Sequence, residues 1–181
     1  MKKAKAIVFI DGSNFYFRLK ELTKNLKNIH LLNFQYRQFC KWLCKNFDII
    51  EIRYYIGVIK EKENLKSKKL FKNQQKLFKK LQKNKVKLIE GQLIQHSDKT
   101  YHEKGVDVKL AIDMAKLARL NKYDTAFLLS SDTDLIPAIE EVFSFNKKVK
   151  YICTKNRRSF ALSKITGDFL ILREKNIKNF F

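Results

Sequence analysis

Short apolar runs rich in β-branched residues alternate along this chain with stretches of helical spacing, and that alternation restricts the fold to a parallel sheet covered on both faces by helices. Residues 5–10 form the first strand, and Gly12-Ser13-Asn14 turns at once into a helix over about 15–22. Phe34, Phe39, Trp42, Leu43 and Phe47 have helical spacing within 33–47, and 49–59 reads as the second strand. A long amphipathic helix is predicted over 64–84, with Leu70, Leu77, Phe78 and Leu81 inward and lysines outward. Residues 86–94 read as the third strand, and 95–105 are polar and turn-like, suited to a short hairpin or a flap. A helix over 106–120 leads to a fully apolar strand at 125–129, the kind expected at the centre of a parallel sheet. Beyond Ser130-Ser131-Asp132-Thr133-Asp134 the pattern gives a helix through Phe145 with Pro137 in its first turn, a fifth strand at 149–153 and a short helix at 159–165. A sixth strand at 169–172 and a frayed tail complete it. With no Ser/Gly linker and no repeat, residues 1–181 read as one domain, long enough to bury about 70% of its unfolded surface.

The chain carries 39 Lys+Arg against 18 Asp+Glu, a formal net charge of +21. Such a charge repels itself unless a polyanion neutralises it, and nucleic acid is the commonest one. A lysine-rich composition with no specific partner is the plainer alternative. Aromatic and aliphatic content, with 45% hydrophobic residues, argues against disorder. The apolar run at the start ends at Asp11, too soon for a signal peptide, and no stretch approaches the roughly 18 apolar residues of a membrane span. A soluble, cytoplasmic protein is therefore expected. Cys40, Cys44 and Cys153 form no zinc or redox spacing and read as buried free thiols.

Acid is scarce, so its placement is informative. Ligands of open α/β sheets bind beyond the carboxyl ends of the strands, where strand order reverses. Asp11 and Asp132 each follow a strand, Asp134 comes two residues later, and Asp107 opens a helix, where the macrodipole favours negative charge. Gly12 would leave room for a phosphate or a hydrated ion, Ser13 would cap the first helix, and Asn14 is placed to exchange hydrogen bonds beside Asp11. Taken singly, these acids are also ordinary helix-terminus, turn and loop residues. Gathered in one cleft they repel unless a cation shares it. Donor sets made only of oxygen select hard ions, Mg²⁺ or Mn²⁺, and two such ions about 3.5–4 Å apart can activate a water and stabilise the leaving oxygen of a phosphodiester. That is nuclease chemistry, with lysines holding the backbone. Asp113 lies six positions beyond Asp107, a rotation of about 240°, and is expected either to support the site or to pair with Lys109 or Lys116.

Three segments, Ile7-Val8-Phe9-Ile10-Asp11-Gly12-Ser13-Asn14, Lys104-Gly105-Val106-Asp107-Val108 and Ser130-Ser131-Asp132-Thr133-Asp134-Leu135, together resemble the NYN domain, a PIN-like nuclease family that includes the LabA-like proteins. The resemblance covers about residues 4–153, leaving a C-terminal extension at about 154–181. It implies a three-layer α/β/α, Rossmannoid PIN-like fold with a mainly parallel sheet in the order 3-2-1-4-5, and metal-dependent ribonuclease activity of the endoribonuclease type. Carried over by position, Asp11, Asp107, Asp132 and Asp134 match the family's acidic metal site, Asn14 its motif asparagine and Asp113 a further acidic helix position. Ser130, Ser131 and Thr133 then surround the carboxylates; Ser131 and Thr133 stand where family members often have glycine.

Twelve lysines against two acids lie between Lys60 and Lys87, mostly on the polar side of one helix. Lys69, Lys72, Lys76 and Lys80, with Lys104, Arg157 and Arg158, are the candidate RNA contacts; a merely solvated helix face is the alternative. Tyr54, Tyr55 and Tyr101 could stack on unpaired bases of single-stranded RNA, although packing is the commoner fate of each. His96 and His102 flank the polar turn as lesser candidates. A homodimer is compatible with these features. The competing classes are a non-catalytic RNA-binding adaptor and a nucleotide-binding protein, the latter weakened by the absence of a Walker A loop or GxGxxG fingerprint.

Overall fold

The computed structural model describes residues 2–59, 65–95 and 101–181. Strand β1 (Lys5–Asp11) is buried from Ala6 onward and passes without a loop into α1 (Gly12–Leu22). A 3-10 turn at Leu31–Asn33 and α2 (Tyr36–Leu43) precede β2 (Asp48–Val58). Then come α3 (Leu65–Lys83), β3 (Lys87–Gln95), β4 (Tyr101–Lys104) and α4 (Val106–Arg119). The second half comprises β5 (Thr125–Leu129), a 3-10 turn at Thr133–Leu135, α5 (Ile136–Ser144) and β6 (Lys148–Thr154). It closes with α6 (Phe160–Thr166), β7 (Phe169–Leu172) and α7 (Glu174–Ile177).

The strands form one seven-stranded sheet in the order β4-β3-β2-β1-β5-β6-β7. Every pairing is parallel except β3 with β4. The expected order 3-2-1-4-5 is present as β3-β2-β1-β5-β6, and the polar segment after β3 adds an antiparallel edge strand. Side chains of β1 alternate between two cores, as the two-residue period of a strand requires. Ala6, Val8 and Ile10 pack with Phe15 and Leu19 of α1, Phe39 of α2 and Leu81 of α3. Ile7 and Phe9 pack with Leu110 and Met114 of α4, Ile139 of α5 and Leu162 of α6. Burial on both faces explains why β1 and β5 are continuous apolar runs rather than alternating ones.

Three elements depart from the spacing-based expectation. The helix expected over 33–47 shrinks to Tyr36–Leu43, because Phe34 is extended (φ −57°, ψ 127°) and separates α2 from the 3-10 turn before it. The first helix begins at Gly12 rather than near Phe15, since Asp11 itself caps it. The tail is not frayed: Ile177 is fully buried, the Gln35 amide donates to the Phe180 carbonyl at 2.7 Å, and Phe180 and Phe181 lie against the rings of Phe34, Phe39 and Trp42. The three cysteines are free and buried, and burial pushes the Cys40 thiol well up and that of Cys44 up to about 12, which makes both inert. Among the described residues no helix is long and apolar enough to cross a membrane.

The docked tail yields a direct prediction. A chain ending at Arg173 should unfold at lower urea, losing about 3–5 kcal/mol because the buried Ile177 is removed and Phe34 and Phe39 are uncovered. An unchanged midpoint would mean that these rings contribute no net stability.

Candidate functional site

Chain order reverses between β1 and β5, and there two strand ends release their next residues side by side. Ile10 and Leu129 are in register, so Asp11 and Ser130 follow as neighbours. Asp11 is only 5% exposed, and a carboxylate so placed needs donors. The Asn14 backbone amide donates to Oδ1 and the Ser130 hydroxyl to Oδ2, each at 2.9 Å. Asp11 is thus the N-cap of α1, the role that spacing assigned to Ser13. Ser130, itself fully buried, also accepts the Asp132 amide at 3.2 Å, and Asp132 Oδ1 accepts the Asp134 amide at 3.0 Å. One hydroxyl therefore ties Asp11 to the loop carrying the other two acids. Asp132 is half-buried, whereas Thr133 and Asp134 are exposed.

Packing gives Gly12 a reason beside the one expected. A Cβ there would sit 2.4 Å from the Tyr54 ring and 2.7 Å from the Tyr55 carbonyl, so packing against β2 by itself requires glycine. Tyr54 and Tyr55 are correspondingly buried and offer no stacking face to a base. Tyr101 and His102 have side chains outside the described residues, and His96 lies outside them altogether.

Behind the acids lies Arg18, which composition and motif order do not single out. It is 3% exposed, and its fork holds three chain segments together. Nε donates to Asn14 Oδ1 at 2.6 Å, one terminal nitrogen donates to Thr154 Oγ1 at 3.4 Å and to the Arg157 carbonyl at 3.1 Å, and the other donates to Ser131 Oγ. Ser131 also hydrogen-bonds Tyr151 Oη and the Arg157 carbonyl, each at 2.7 Å, which gives this hydroxyl a use that glycine could not supply. Burial lowers the Arg18 pKa, while Tyr151, Cys153 and Asp11 oppose that shift. A guanidinium only donates, so Asn14 must turn its oxygen to Arg18 and its amide NH₂ away. The spacing of Arg18 from Asn14, i to i+4 on a helix, is the one sequence signal that pointed to this contact.

The remaining candidates divide. Gly105, with φ +76°, precedes α4 in a left-handed conformation that favours glycine, and Asp107 is exposed in the helix's first turn. The helix itself packs against the 3-10 turn Thr133–Leu135. Asp113 turns instead to β2: its Oδ2 accepts the Tyr55 hydroxyl at 2.9 Å and lies 3.0 Å from Arg53, not beside Lys109 or Lys116. Arg53 sits 3.1 Å from Glu51 as well, yet its Nε and this terminal nitrogen lack aligned acceptors, so these are charge contacts rather than directional bonds. Lys69, Lys72, Lys76 and Lys104 are exposed. Lys80 is committed to the Leu32 carbonyl at 2.8 Å. Arg158 lies over the Phe160 and Phe169 rings and donates to Ser163, while Arg157 faces Glu21 at 3.8 Å. Among the described residues, no group of three or more His, Cys, Asp or Glu side chains is gathered as a metal cage.

Replacing Arg18 with Met should leave Asn14 and Ser131 without their buried donor and cost about 2–4 kcal/mol of stability in a urea melt. Arg18→Lys should recover little, because an ammonium cannot reproduce the fork. Full stability in Arg18→Met would show that the three segments are held without it.

The NYN domain model matches residues 5–172. A crystallised protein of unknown function from Vibrio parahaemolyticus RIMD 2210633 has the same fold, with a TM-score of 0.68 at 20% identity over 94% of this chain and 93% of that one. No curated protein sequence matches the chain. A family match spanning every strand, on a sheet whose reversal point carries Asp11 and Asp132, settles the affiliation: this chain belongs to the NYN domain family.

Proposed function

We propose that this protein is a divalent-metal-dependent ribonuclease acting on single-stranded RNA, with Asp11 and Asp132 at its centre and Asp134 and Asp107 completing the acidic site. The observation that carries the proposal is the Ser130 hydroxyl between Asp11 and Asp132, which fixes two acidic segments at the switch point of an NYN fold. A family of PIN-like nucleases supplies the reaction class.

The donor chemistry fits Mg²⁺ or Mn²⁺, since the motif side chains offer only oxygen. With no three-residue cage among the described residues, the fit is to an ion that keeps much of its water and takes one or two carboxylates, substrate phosphates providing the rest. Bound there, the ion would neutralise phosphate charge and acidify a water. Asp132, the less buried of the central pair, would be the principal ligand, and Asp11 would be the oriented anchor. The Asn14 NH₂, turned away from Arg18, is a donor for a phosphate oxygen. Arg18 holds Asn14 and the Ser131 loop in place and sets a buried positive charge behind the acids. Lys69, Lys72 and Lys76 contact the RNA backbone from α3.

A second reading is an RNA-binding adaptor that cuts nothing, which the strongly basic chain would also support. End-labelled single-stranded RNA incubated with Mg²⁺, Mn²⁺ or EDTA separates the two. The nuclease should give metal-dependent products with 5′-phosphate and 3′-hydroxyl ends, and Asp132→Asn should slow cleavage by about 100-fold or more while RNA affinity changes little. Binding should weaken with salt at a slope of about −2, from three lysine contacts at about −0.7 each. Intact RNA bound equally in EDTA would establish the adaptor.

A further inference from the structure

An open cleft of about 480 Å³ begins at Gly12 and Ser13, the residues that follow Asp11, and continues between α1, α3 and the carboxyl end of β2. Its volume falls within the range of about 300–1,000 Å³ typical of small-ligand pockets. The aromatic rings of Tyr16 and Phe17 line it from α1, 43% and 59% exposed, and meet edge to face with centroids 5.5 Å apart. Leu70 lines it from α3 and is 40% exposed, although its helical spacing predicts an inward position. Asn73 adds an exposed amide beside these apolar walls.

Charge identifies the occupant. Exposed Lys69 and Lys76 lie at i−4 and i+3 from Asn73, so the same helix that lines the cleft borders it with cations. On a chain of net charge +21, an aromatic cleft edged by lysines suits a ligand with an apolar, planar part and a negatively charged part. A nucleotide has both, and base stacking on aromatic rings tolerates any sequence. Resting on the reading that RNA is the substrate, we propose that this cleft is a nucleobase subsite: one unpaired base lies against Tyr16 and Phe17, and its phosphates run past Lys69 and Lys76 on one side and towards Asp11 on the other. A base held there must be unstacked from its neighbours, so the subsite selects single strands and loops over duplex.

Both rings are exposed, so their removal leaves the core intact. The test uses full-length Phe17→Ala and Tyr16→Ala, the conservative Phe17→Tyr, and single-stranded RNA in two forms, one normal and one with an abasic position scanned along the strand. Binding is measured in the Asp132→Asn background with 2-aminopurine RNA, and cleavage in the parent chain. The proposal expects 2-aminopurine fluorescence to change at one position on binding, Phe17→Ala to weaken binding roughly tenfold, and Phe17→Tyr to restore it. An abasic nucleotide at that position should weaken binding to a similar extent, and Phe17→Ala should then add nothing. If metal-dependent cleavage is lost in Asp132→Asn but abasic RNA and the alanine variants behave like their parents, the subsite is refuted while the nuclease stands. If the parent neither binds nor cuts RNA, both fall.

Discussion

A carboxylate buried at the end of the central strand is tenable only if donors reach both of its oxygens, and Asp11 draws them from two directions. The Asn14 amide comes from the helix that starts behind it, and the Ser130 hydroxyl from the strand beside it. Each bond has a structural consequence beyond its own energy. The first makes Asp11 a helix cap, which brings α1 flush against the sheet and forces glycine at position 12 beneath the Tyr54 ring. The second locks the β5 loop, because Ser130 also holds the Asp132 amide. The acidic site is therefore part of how the central strands end, not an addition to a finished fold.

Electrostatics explains why a buried arginine sits behind it. Asp11 at the end of β1 is linked through Ser130 to the loop that carries Asp132 and Asp134, so an opposite charge nearby offsets part of their negative charge. Surface lysines are screened by water and salt, whereas Arg18 is nearly inaccessible, and Asp11 is among the neighbours that favour its charged form. Its fork also meets acceptors from α1, from the Ser131 loop and from the loop after β6. A lysine at position 18 would supply the charge without the three-way geometry.

Strands β1 and β5 were legible because burial on both faces leaves an unmistakable apolar run, and Asp11 and Asp132 because they stand at or just beyond the ends of those runs. Local spacing was a weaker guide wherever a tertiary partner decided the outcome. Phe34 is extended and the Gln35 amide beside it is taken by the tail, so α2 starts only at Tyr36; Asp113 is claimed by Tyr55 and Arg53 from a strand that is remote in sequence. The tyrosines offer the clearest contrast. Tyr54 and Tyr55 alternate along a strand buried on both faces, so each enters a core, while Tyr16 and Phe17 remain exposed on the first helix. Helical period places Tyr16 about 100° and Phe17 about 200° round α1 from buried Phe15, but it does not reveal that an open cleft lies beside them.

That ambiguity bears on what the cleft is for. An apolar wall at the helix–helix boundary could have been closed by larger side chains, yet Leu70, Tyr16 and Phe17 stay partly in water beside the most charged helix of the chain. Leaving three such groups exposed forfeits roughly 25 cal/mol for each Å² not buried. An apolar group entering the cleft would recover that cost, and the neighbouring lysines favour one that also carries negative charge. Asp11 lies one residue from the cleft floor, so an anchored base and a positioned phosphodiester would be parts of the same encounter. Affinity would then come from stacking and lysine contacts, leaving the carboxylates to act on the phosphate alone.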